Sequence, residues 1–71
     1  MQRTPVRSSN VASVGYDPNT QTLEVEFHSG DVYQYFGVAE AHFVRLTAGS
    51  VSVGSYLNRE VKPRYRYRRI R

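Results

Sequence analysis

Seventy-one residues without a single cysteine confine this chain to one domain held by apolar packing, and exclude disulfides and thiolate-ligated metals. A 39% hydrophobic content with three Phe and six Tyr is enough for a thin core of large side chains. The net charge of +4 is concentrated in Lys62, Arg64, Arg66, Arg68, Arg69 and Arg71, six cations with no acid in the last ten residues, so residues 1–61 sum to −2; such a local field favours polyanions or acidic protein surfaces.

Residues 1–7 read as a flexible N-terminal arm ahead of a single domain over residues 8–71, whose basic segment is 62–71. The start Met1-Gln2-Arg3-Thr4-Pro5 is polar, and no stretch approaches the roughly 20 apolar residues of a membrane span. A cytoplasmic location is the expectation. From Val11 the pattern alternates, with Ala12, Val14 and Tyr16 on one side of a strand. Asp17-Pro18-Asn19-Thr20 carries type I turn chemistry, Asp first and Pro second. Leu23-Glu24-Val25-Glu26-Phe27 follows as a half-buried strand of period two, with Glu24 and Glu26 on its solvated side. A four-residue turn then sets Val14 against Leu23 and Ala12 against Val25.

His28-Ser29-Gly30-Asp31 is a second tight turn, with Gly30 supplying positive φ, and it leads into Val32-Tyr33-Gln34-Tyr35-Phe36. Ala39, Phe43 and Leu46 then mark one helical stripe ending at Gly49. Ser52 is placed to cap a short second helix across Val53, Tyr56, Leu57 and Glu60 that Pro63 terminates. The tail alternates again, Tyr65 and Tyr67 against Arg64, Arg66 and Arg68, as a short strand at a sheet edge. The expected fold is α+β: a three-stranded antiparallel meander, one helix, a short second helix and a short C-terminal strand, with Phe43 and Leu46 meeting Leu23, Val25 and Phe27 in one core.

The runs Ser8-Ser9-Asn10, Val14-Gly15-Tyr16-Asp17 and Leu23-Glu24-Val25-Glu26-Phe27, the pair Tyr33-Gln34-Tyr35, and the later Ser52, Gly54, Tyr56, Asn58, Lys62 and Tyr65 together resemble the KTSC domain, named after the C-terminal domain of lysyl-tRNA synthetases. The resemblance spans about residues 8–70. It departs at Ala39, where family members often carry proline, a change that a first helical turn tolerates. It implies a domain of about sixty residues, free-standing or attached to synthetases, of unknown function with RNA binding suspected, and it does not imply an active site.

The residues allow two placements of Tyr33 and Tyr35. A two-residue loop at Ser29-Gly30 puts both rings on the face of Glu24 and Glu26, open for base stacking. A three-residue loop with a bulge at Gly30 sets Val25 against Tyr33 and Leu23 against Tyr35, in the core. In the tail, Lys62, Arg64, Arg66, Arg68 and Arg69 suit phosphate neutralisation, and Tyr65 and Tyr67 suit stacking on unpaired bases. An equally physical reading makes those tyrosines inward-packing and the arginines a solvated edge that blocks aggregation.

His28 and His42 stand apart without ligand spacing, His28 near Asp31 within hydrogen-bonding range. No nucleophile elbow surrounds Ser8-Ser9-Asn10, whose polar groups suit backbone hydrogen bonds where the first strand begins, and Asn58 reads as a cap or turn residue. The sequence thus points to a non-catalytic binding module without metal, cofactor or small-molecule substrate. Its expected partner is RNA, tRNA among the candidates; the alternative is a protein-interaction module or small inhibitor docking on an acidic partner. Four to six phosphate contacts imply a salt slope of about −3 to −5.

Overall fold

Two turns and their neighbouring strands organise the molecule. The computed structural model describes residues 1–71. It contains β1 (Arg3–Pro5), β2 (Val11–Asp17), β3 (Thr22–Phe27), β4 (Val32–Tyr35), α1 (Glu40–Thr47), α2 (Val53–Tyr56), a π-helical turn (Leu57–Val61) running on from α2, and β5 (Tyr67–Arg69). The five strands form one antiparallel sheet in the order β1-β2-β3-β4-β5. The expected meander, two helices and C-terminal strand are all present, and β1 extends the sheet by one strand. No helix is long and apolar enough to cross a membrane.

The N-terminal arm departs from the sequence expectation. Arg3, Thr4 and Pro5 pair with Gly15, Val14 and Ser13, so this stretch is an edge strand and not a loose arm. Two local causes hold it. A side chain at Gly15 would meet the Gln2 carbonyl at 2.6 Å, so only glycine admits the arm at this distance. The Arg3 guanidinium also reaches Glu24 at 2.7 Å and Glu26 at 3.3 Å. Pro5 is tolerated because an edge strand can spare an N–H.

The first hairpin is displaced by two residues from the expected register. Val14 pairs with Val25 and Tyr16 with Leu23. The reason lies in the turn: the Asn19 N–H donates to Asp17 Oδ1 at 2.9 Å, Gln21 takes a left-handed φ of 54°, and Asp17 pairs with Thr22. A shift of two preserves the side-chain face, so Val14, Leu23 and Val25 remain core residues, each fully buried. Ala12 does not follow. The register shifts between Val11 and Ser13, and this bulge turns Val11 into the core opposite Phe27 while Ala12 is only half-buried.

At the second hairpin the Gly30 N–H donates to the Phe27 carbonyl, and the Phe27 N–H donates to the Asp31 carbonyl, both at 2.9 Å, with Gly30 at φ 97°. This is the three-residue loop with a glycine bulge. Tyr33 therefore pairs with Val25 and Tyr35 with Leu23, which puts both rings on the helix-bearing face of the sheet.

That face carries the core. Val11, Val14, Leu23, Val25 and Tyr35 pack against Val38, Leu46, Val53, Tyr56, Leu57 and Val61, with Phe27, Tyr33, Phe43 and Tyr65 at the margin. Each fully buried aliphatic side chain contributes roughly 1.5–3 kcal/mol. α1 ends as the sequence implies, with Gly49 at φ 80° just past the Ala48 C-cap. Ser52 occupies the N-cap of α2, but its hydroxyl donates to Ser55 Oγ and makes no backbone cap bond. The opposite face has no helix over it, yet Glu24 is only 7% exposed. It accepts from Arg3 and from Gln34 Nε2 at 2.9 Å, so the solvated role expected of it does not hold.

Candidate nucleic-acid interface

Antiparallel pairing places Tyr35 directly across from Tyr67, and Tyr33 across from Arg69, on the helix-bearing face. The helices cover only part of that face. Beside the end of the π-helical turn, where the Lys62 N–H donates to the Leu57 carbonyl at 2.8 Å, a groove of about 390 Å³ stays open. Phe27, Tyr33, Tyr35, Tyr67 and Lys62 line it. Its walls are aromatic contacts: Tyr33 and Tyr67 with ring centroids 5.7 Å apart, Tyr35 and Tyr67 at 5.9 Å, and Phe27 edge-on to Tyr33 at 5.8 Å. The Lys62 ammonium stands 5.3 Å from the Phe27 ring centre, a cation–π arrangement at the rim.

Within this group the tyrosines differ. Tyr35 forms the floor at 2% exposure, whereas Tyr67 presents 62% of its surface. Burial, aided by the neighbouring Tyr33 and Tyr67 hydroxyls, pushes the Tyr35 hydroxyl up to about 12, so it stays neutral at every physiological pH. The groove is thus a neutral aromatic surface with one ammonium at its edge. It can accept a planar ring against Tyr67 or Tyr33 and an anion beside Lys62.

The remaining cations of the basic segment divide into two groups. Arg64 pairs with Glu60 at 3.7 Å, Arg69 with Asp31 at 3.0 Å and Arg71 with Glu26 at 3.0 Å. Lys62, Arg66 and Arg68 have no carboxylate partner among the protein's ion pairs, which otherwise involve Arg3 and Arg59. The three tail pairs join side chains 61–63% exposed on the arginine side, where such contacts are worth about 0–1 kcal/mol and exchange readily for other anions. Arg68 pairs across from Gln34, on the other face from the groove, while Arg69 shares the face of Tyr67.

Tyr65 is not part of the groove. Its hydroxyl lies 3.1 Å from His42 Nε2, and His42 Nδ1 lies 2.8 Å from the Tyr56 hydroxyl. This imidazole therefore ties α1, α2 and the C-terminal segment together, a role the sequence does not display because its partners lie 14 and 23 residues away. His28 does not approach Asp31 as expected; its Nε2 meets the Ser8 carbonyl at 3.0 Å, and Asp31 is taken by Ser29 and Arg69. Ser8 behaves as read from sequence, its hydroxyl accepting the Asn10 and Val11 N–H groups at 3.4 and 3.3 Å. Phe27 is the groove residue that sequence reasoning missed; read as plain core, it terminates β3 beside Tyr33 and is only half-buried.

Comparison with known proteins sharpens the picture. The family model described as the KTSC domain matches residues 7–65. The chain is 44% identical over 71 residues to an uncharacterized protein of Stutzerimonas stutzeri, covering 99% of both. It is 34% identical over 62 residues to a lysine–tRNA ligase of a Nostoc species, covering 87% of this chain and 11% of that one. The crystal structure of a KTSC domain protein from Yersinia pestis superimposes with a TM-score of 0.90 at 37% identity, covering 99% of this chain and 97% of the other.

Proposed function

This chain belongs to the KTSC domain family, and from that premise we propose that it is a non-catalytic module binding single-stranded RNA through the Phe27–Tyr33–Tyr35–Tyr67 groove. The observation that carries the reading is one continuous surface with an exposed aromatic wall and the Lys62 ammonium at its rim. Unpaired bases stack on such rings whatever their identity, and cations beside them neutralise the backbone. A duplex hides its base faces, so a stacking groove selects single strands, loops or ends. The occurrence of a similar segment within lysine–tRNA ligases supports RNA as the partner.

The charge arrangement refines the expected energetics. Arg68 lies on the face away from the groove, and three of the other five tail cations face carboxylates in exposed pairs that phosphates replace only in competition, so about three to four phosphates are contacted in place of the four to six suggested by the bare sequence. On single-stranded RNA the slope of log affinity against log salt is then about −2 to −3. Titrating a labelled oligouridylate at several salt concentrations measures it; no binding at low salt removes the reading.

A protein partner is the second reading, and the free edge of β5 favours it. Tyr67 and Ile70 are exposed there, 62% and 46%, beside arginines that suit an acidic extended peptide. Nuclease treatment of material captured from a cell lysate separates the two: nuclease-resistant capture supports a protein partner, and nuclease-sensitive capture supports RNA.

A further inference from the structure

The residues Ser8-Ser9-Asn10 and Ser52 to Asn58, remote in sequence and unused by the aromatic groove, converge on a second cavity of about 260 Å³. It is lined by Arg7, Ser9, Asn10, Ser55 and Asn58 together with Ser8, Ser52, Val53 and Gly54. Its lining has a fixed polarity. Asn10 Oδ1 accepts from the Ser8 hydroxyl at 2.9 Å, which leaves the Asn10 amide nitrogen as a donor. Ser8 Oγ itself accepts two backbone N–H groups. Ser55 Oγ accepts from Ser52 at 3.2 Å, so the Ser55 proton is available. These bonds engage an acceptor position on each of the three oxygens and spend the Ser8 proton, leaving the Asn10 amide nitrogen and the Ser55 hydroxyl as the free donors. The same lining contains no carboxylate and one guanidinium, Arg7, which takes part in none of the protein's ion pairs.

The frame around these donors is held from several sides. Asn10 is packed against Gly54, where a β-carbon would meet its Oδ1 at 2.9 Å. The Asn10 carbonyl accepts the His28 N–H at 2.9 Å, the Ser8 carbonyl meets the His28 ring, and the Val6 N–H donates to the Ala12 carbonyl at 3.2 Å just before Arg7. A set of neutral donors, two of them (Asn10 and Ser55) held by internal bonds, beside one planar cation and no acid is complementary to an oxyanion.

We infer that the Arg7–Asn10–Ser55–Asn58 cavity is an oxyanion site that takes a phosphate group, separate from the aromatic groove and independent of whether that groove binds RNA. The group is either free phosphate or a backbone phosphodiester. The test is an amide chemical-shift titration of the isotope-labelled full chain with inorganic phosphate, and separately with oligouridylate, each against sodium chloride of equal ionic strength. Saturable shifts at Ser9, Asn10, Ser55 and Asn58 with inorganic phosphate assign a free phosphate; shifts there with oligouridylate alone assign a phosphodiester. In both cases Arg7→Gln weakens the response about tenfold, as loss of a charge-assisted contact requires, and Asn58→Ala weakens it while leaving shifts at Tyr33 and Tyr67 unchanged. No saturable shift with either probe, or a response that Arg7→Gln leaves intact, overturns the assignment.

Discussion

The two faces of the sheet use charge in opposite ways. On the face without helices, Arg3, Glu24, Glu26, Gln34, Ser13 and Arg71 form one network in which each carboxylate has several donors. Cations there are consumed by the fold. On the helix-bearing face the margin is aromatic, and Lys62 stands over a ring instead of a carboxylate. Net charge alone therefore misjudges this protein. What a polyanion meets depends on which cations already have partners, and the helix-free face holds the committed Arg3 and Arg71, with Arg68 its unpaired exception and Arg69, paired with Asp31, the committed cation on the groove face.

Adjacent residues of β3 test this contrast with the largest effect. Leu23 is fully buried on the helix side and Glu24 nearly so on the other. Leu23→Ala should cost about 2–5 kcal/mol of unfolding free energy through lost transfer energy and a cavity. Glu24→Gln should cost less, about 1–3 kcal/mol, because the amide keeps one acceptor oxygen and strands only one of the Arg3 and Gln34 donors, without opening a void. Chemical denaturation of the two variants measures both, and an equal cost would erase the distinction between the faces.

Binding gives the next largest effect. Tyr67→Ser, at a residue 62% exposed, should leave the fold intact and weaken single-stranded RNA about tenfold or more, the loss of one stacked base. Lys62→Gln should weaken binding less at high salt than at low salt and make the slope shallower by about 0.7. Affinity measured across salt concentrations distinguishes the ring from the charge.

The two faces also respond to opposite ends of the pH scale. Tyr35 has its hydroxyl raised by burial to about 12, against about 10 in an unfolded chain. Its contribution is complete below pH 10 and is lost as pH rises from about 10 to about 12. Glu26 shifts the other way: the Ser13 hydroxyl, then Arg3 and Arg71, hold its carboxyl below the ordinary value. Its contribution is present above the unfolded carboxylate range and is lost as pH falls through the lowered value. Thermal melts of Tyr35→Phe and Glu26→Gln should show these alkaline and acid losses removed separately, each by a small amount.

Much of the fold is legible in the sequence because its signals are local. The period of two in Leu23–Phe27, the glycine at position 30 and the helical stripe ending at Gly49 each act within a few residues, and the meander, helix and final strand follow from them. What escapes depends on contacts across the fold. β1 is hidden because its anchors, Gly15 and the Glu24–Glu26 pair, lie 12 to 23 residues away from Arg3. The bulge at Ala12 changes which residue enters the core without any compositional mark.

The site is partly legible for the same reason. Tyr33, Tyr35, Tyr67 and Lys62 stand out as aromatic and basic residues, but their meeting in one groove needs the β4–β5 pairing. Tyr65, alike in sequence, is diverted to His42. Which arginines are paired is likewise decided by Asp31, Glu26 and Glu60 in three dimensions.

The most direct measurement is an NMR titration of the isotope-labelled chain with a short single-stranded RNA at low salt, following the side-chain signals of Phe27, Tyr33, Lys62 and Tyr67. The proposal predicts saturable shifts concentrated on these four, fading as salt rises with the slope of about −2 to −3. Absence of shifts at low salt, or shifts confined to Arg68 and Arg71 with the four groove residues undisturbed, would contradict it.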